Sequence, residues 1–150
     1  MVKPLGIGHV VLNVTDVTKS IEFYTNVLGF EVVKTNPEKT AAFLNCGEMH
    51  HDLALFKATD DSPSKKGTIG LNHFAVLVED IEQLKSLKSN LESVGYSNLR
   101  TVDHGMTGSI YFEDPDGNGI EFYFDRYSDP AEGLAVMKDD NKVNGELVLD

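Results

Sequence analysis

A chain of 150 residues, 41% hydrophobic and 25% charged, has the size and make-up of one compact globular domain or of two small modules sharing one sheet system. No apolar run approaches the ~20 residues of a membrane span, and the net charge of −11 argues against nucleic acid, anionic membranes and polyanionic substrates, all of which need clustered Lys and Arg. The start MVKPLGIGHVVLNV shows no secretory signal, so a cytoplasmic protein is expected, and the single cysteine, Cys46, reads as a small buried hydrophobe in AAFLNC.

Residues 5 to 14 read as a strand with Ile7, His9, Val11 and Asn13 on one face, followed by Thr15-Asp16 as an N-cap. The helix that follows, to about Leu28, carries Val17, Ile21, Tyr24 and Leu28 as its apolar stripe, and Gly29 fits the left-handed position after its end. Phe30 to Lys34, Thr40 to Cys46 and His51 to Phe56 follow as strands; in the last, His51, Leu53 and Leu55 share a face and His50 points away from His51. Residues 58 to 69 form a linker rich in Pro, Gly, Ser and mixed charge.

Beyond the linker the pattern repeats. His9 maps to His73 and Asp16 to Asp80 with the same offset, and Ile81, Leu84, Leu87, Leu91 and Val94 stripe a second helix. Leu99 to Val102, Ser109 to Glu113 and Gly119 to Asp125 close the second module, the last two joined by the turn DPDGNG. The predicted fold is α+β: two tandem βαβββ modules, about 5–57 and 70–126, forming a curved mixed sheet around a metal-binding cleft within one domain, 1–127. The acidic tail, 128–150, ends in GELVLD, a possible edge strand, and is expected to be partly mobile or to reach onto a second subunit.

In the last strand Ile120, Phe122 and Phe124 share one face, with Glu121 and Tyr123 on the other. A mid-strand carboxylate needs a cation, a proton or a metal beside it. Lys57 or Arg126 could supply the charge, and a lone strand histidine is ordinarily a half-buried residue satisfied by a carbonyl. The duplication favours a joint reading instead: His9 and His73 occupy equivalent strand positions, and with Glu121 they give two imidazoles and a carboxylate, a ligand set that leaves positions open on a divalent metal.

The segments GHVVLNVTDVTKSIEFYTNVLGF and DPDGNGIEFY resemble the vicinal oxygen chelate superfamily, which includes glyoxalase I, fosfomycin- and bleomycin-resistance proteins and extradiol dioxygenases. HHDLALF, LNHFAV and DHGMTGSIYFEDPDGNGIEFY are similar to type I extradiol ring-cleavage dioxygenases, in a single-unit form where most carry two tandem copies. The resemblance implies His9, His73 and Glu121 as metal ligands, His51 as acid/base, Tyr111 as the donor to the bound substrate oxygen and His104 as a donor behind the site. It further implies Fe(II), with Mn, Zn, Ni or Co as other ions this ligand set takes, a small aromatic diol and O2 as substrates, and a homodimer. Leu53 falls where glyoxalases place a fourth, carboxylate ligand, which favours ring cleavage over isomerisation. Scarcity of cations beyond Lys57 and Arg126 weighs against thiol transfer to a phosphonate epoxide. A metal-free drug-binding protein is the non-enzymatic alternative.

Overall fold

In the computed structural model, which describes residues 3–60, 67 and 69–150, the chain divides into two compact units, Met1–Ser64 and Lys65–Asp150. No helix among the described residues is long and apolar enough to cross a membrane.

The first unit runs β1 (Val10–Val14), α1 (Val17–Asn26), β2 (Glu31–Thr35), β3 (Ala41–Asn45) and β4 (Leu53–Lys57). Its sheet has the order β1-β4-β3-β2, with β1 parallel to β4 and the other pairs antiparallel. Helix α1 starts where Asp16 accepts hydrogen bonds from the Thr18 and Lys19 amides, which holds its carboxyl below the usual range, the Lys19 bond contributing most. It ends before Gly29, whose φ of +79° is the left-handed turn expected there. Phe23, rather than Ile21, joins Val17 and Tyr24 in the buried stripe. These side chains cover Leu12, Val14, Ala42, Leu44, Leu53 and Leu55, the other half of the core.

Two expectations change in this unit. The first strand begins at Val10 and not at residue 5; Leu5 and Ile7 lie fully exposed, having neither a ladder partner nor a packed face. Cys46, just past the end of β3, is exposed instead of buried.

The second unit repeats the plan: β5 (Phe74–Leu77), α2 (Ile81–Ser93), β6 (Arg100–Asp103), β7 (Thr107–Glu113) and β8 (Gly119–Asp125), ordered β5-β8-β7-β6 with β5 parallel to β8. Asp80 caps α2 through the Gln83 amide. Leu84, Leu87 and Leu91 are buried beside Ile110, Phe112, Ile120 and Phe122, each fully buried side chain stabilising by roughly 1.5–3 kcal/mol. Val94, expected to complete the stripe, is exposed because the helix has already ended at Ser93.

The tail departs most from expectation, since it packs onto its own unit. After Asp129 caps a third helix, α3 (Pro130–Met137), the chain returns to form an antiparallel bridge between Asp103 and Gly145. Leu147 and Leu149 are buried, and Lys88 Nζ donates to the Leu149 carbonyl.

Candidate functional site

Strand register decides which side chains face away from the helices. In β8, Ile120, Phe122 and Phe124 turn into the core, so Glu121 and Tyr123 face the other way as the alternation predicts. Tyr111 on β7 is the direct cross-strand partner of Glu121, and Arg100 on β6 is the partner of Tyr111. His73 comes one residue before β5, close to Gly119; a Cβ at Gly119 would lie 2.4 Å from the Asn72 carbonyl oxygen, so only glycine lets this segment in.

This register assembles a contiguous polar chain in the second unit. His73 Nε2 lies 3.1 Å from Glu121 Oε2, the Tyr111 hydroxyl donates to Glu121 Oε1 at 2.7 Å, and His104 Nε2 meets the same hydroxyl at 2.8 Å. The Arg100 guanidinium stacks 4.2 Å from the centre of the Tyr111 ring. Burial, reinforced by the hydrogen bond to Glu121 and its charge, pushes the Tyr111 hydroxyl up to about 12, so it remains a proton donor at neutral pH.

The His73–Glu121 contact bears on metal binding. His73 Nδ1 lies 2.8 Å from Asn72 Oδ1, which holds the plane of the ring and aims Nε2 at a carboxylate oxygen. Imidazole with carboxylate at this separation is a donor pair that borderline divalent metals accept. The residues present therefore fit a metal. Neither proposed competitor takes this place: Arg126 bonds Asp103 at 2.7 Å, and Lys57 Nζ donates to the Thr15 carbonyl.

In the first unit the histidines form a separate group. His9 and His51 rings lie 4.5 Å apart, and Phe43 meets His51 edge-on at 5.4 Å. His50 does not point away from His51; their Nδ1 atoms are 2.5 Å apart, because both residues precede β4 and strand alternation does not govern them. Partial desolvation first, then the neighbouring His50 and His9, lower the His51 pKa and favour its neutral form. Within each unit taken by itself, the described residues bring no three His, Cys, Asp or Glu side chains together as a metal-binding cluster.

Leu53 must be reassigned. It pairs with Val10 and Leu44 and turns to the helix side, whereas Ala54 pairs with Val11 just as Glu121 pairs with Ala75, the repeat equivalent of Val11. Ala54 is thus the first-module counterpart of Glu121, and it too is no ligand. Arg100, Asn72 and Asn144 also belong to the neighbourhood of the site. They escaped the sequence reading because their places depend on cross-strand register and tail docking, which leave no periodic signal.

Both units share the βαβββ plan, and the second carries a histidine–carboxylate pair, His73 and Glu121, on the face opposite its helix. Residues 6–122 match the model of the glyoxalase/bleomycin resistance protein/dioxygenase superfamily, and the chain belongs to that family. It is 32% identical over 133 residues to biphenyl-2,3-diol 1,2-dioxygenase 3 of Rhodococcus globerulus, covering 87% of this chain and 69% of that one. It is also 32% identical over 140 residues to catechol-2,3-dioxygenase of Bacillus subtilis, covering 87% of this chain but only 47% of that protein. A glyoxylase/bleomycin resistance protein/dioxygenase domain from Frankia superposes with a TM-score of 0.68 at 22% identity, over 83% of this chain and all of that one, which supports the fold.

Proposed function

We propose that this protein is a metal-dependent extradiol-type dioxygenase that opens a small catecholic ring with O2, with Fe(II) held by His9, His73 and Glu121. The observation that carries this reading is the Tyr111 hydroxyl, which bonds the Glu121 carboxylate and the His104 imidazole at once. A phenol kept protonated beside a ligand carboxylate can turn its one proton from Glu121 to an oxygen of a bound diol once a cation neutralises that carboxylate. The relatives named as diol dioxygenases support the same substrate class.

When bound, the metal supplies a common anchor for diol and dioxygen and acidifies a diol hydroxyl. The chain's own residues do the rest. His51, favoured in its neutral form, accepts a proton from the diol and returns it as the ring opens. Tyr111 orients the substrate oxygen, and His104 holds Tyr111 through its hydroxyl. Both oxygen atoms of O2 enter the product as the carbon–carbon bond beside the diol breaks, so no external reductant is required. Ala54 at the position equivalent to Glu121 leaves the first module's last strand without a carboxylate ligand, which favours this chemistry over isomerisation. The same reading takes a homodimer as the assembly and the cytoplasm as the compartment.

The test is an aerobic assay of anaerobically purified, Fe(II)-loaded protein against a panel of catechols. Yellow ring-cleaved products are expected; full iron occupancy with every diol left intact would refute the proposal.

A further inference from the structure

The β6–β7 turn that carries His104 is held from two sides by the C-terminal tail. Asp103 and Gly145 exchange both backbone hydrogen bonds, at 2.9 and 2.8 Å, immediately beside His104 and Asn144. That register brings Asn144 Oδ1 to 3.2 Å from His104 Nδ1, on the opposite edge of the ring from the Nε2 that meets Tyr111. Lys142 Nζ donates to the His104 carbonyl at 2.7 Å and lies 3.4 Å from Met106 Sδ, so the backbone of the turn is fixed as well as its side chain. Gly105, with φ +77°, leaves room for Val136 of α3 and the Lys142 stem against the turn.

We propose that Asn144 is a positioning residue for the ring-cleavage site. Its side-chain amide, 3.2 Å from Nδ1, fixes the plane of the His104 ring, so that Nε2 stays directed at the Tyr111 hydroxyl, and residues 142–145 thereby become part of the site. An imidazole held only at Nε2 rotates about its side-chain bonds; one held at both nitrogens does not. The contact lies two hydrogen bonds from Glu121, so its loss acts on the substrate-facing hydroxyl and not on the metal ligands. This inference rests on the dioxygenase reading for its catalytic consequence but not for its geometric one.

The experiment compares wild type with Asn144→Ala and Asn144→Asp, the latter keeping an oxygen acceptor opposite Nδ1. Histidine side-chain 15N resonances are recorded on the metal-free protein, and kcat, KM and iron stoichiometry on the loaded protein with a catechol. Asn144→Ala is expected to shift the His104 ring resonances, to leave iron stoichiometry unchanged and to lower kcat roughly 10-fold with little change in KM. Asn144→Asp is expected to recover most of both signals. Unmoved His104 resonances in Asn144→Ala, or an Asp variant no better than the Ala variant, would overturn the proposal. If even the wild type cleaves no diol, the dioxygenase reading fails, while the resonances still decide whether Asn144 holds His104.

Discussion

Glu121 shows how much one residue's neighbours constrain its chemistry. Its carboxylate takes a hydrogen bond from Tyr111 through one oxygen and lies 3.1 Å from His73 Nε2 through the other, so both oxygens are held. Placement of His73 depends on Gly119, where any Cβ would meet the Asn72 carbonyl at 2.4 Å. Gly119→Ala should therefore push the 72–73 segment away, destabilising the fold by about 1–3 kcal/mol and weakening metal affinity together. Urea denaturation and a metal titration of the same variant check this, and unchanged values in both would contradict it. Cys46 illustrates the opposite case: although exposed, its thiol is pushed up to about 11 by desolvation and by Asp52, which leaves it protonated at neutral pH and a poor nucleophile.

Among the elements, the β7–β8 hairpin does most to build the site, because Tyr111 and Glu121 face each other only if its turn keeps register. Asp114, buried at 4% exposure, closes that turn by accepting from the Asp116 and Asn118 amides and the Asn118 side chain, each at 2.9 Å. Asp114→Ala should cost roughly 2–3 kcal/mol, read as a lower denaturation midpoint, and should slow any turnover that depends on Tyr111. Much of this level could be read from the sequence. The caps at Asp16 and Asp80, the DPDGNG turn and the placing of Glu121 opposite Phe122 follow from local chemistry and period two. Leu53 could not be separated from Ala54, nor His50 and His51 placed, because the start of β4 is set by pairing with β1 and β3. The role of Arg100 beside Tyr111 was hidden for the same reason: facing partners are fixed by register between strands, which no single strand encodes.

For the molecule as a whole, duplication is what singles out His9 and His73 as candidate ligands, since either alone would pass as an ordinary strand histidine. In the tail the helix buries no residue and so leaves no stripe to read, whereas GELVLD alternates, with Leu147 and Leu149 buried on either side of exposed Val148, and enters the sheet through the Asp103–Gly145 bridge. The tail is anchored through Leu147, packed near Gly108 and Phe124, and through Leu149. Leu147→Ala should lose about 2–3 kcal/mol of stability and loosen the 142–145 segment; faster amide exchange at His104 and Gly145 would report that loosening, and unchanged exchange would show that the tail docks independently of Leu147. The proposed ring cleavage is open to direct observation. A single turnover of the Fe(II)-loaded protein with catechol under 18O2, analysed by mass spectrometry, should give a ring-opened product carrying both labelled atoms. An unlabelled product, or unreacted diol at full iron occupancy, would contradict it.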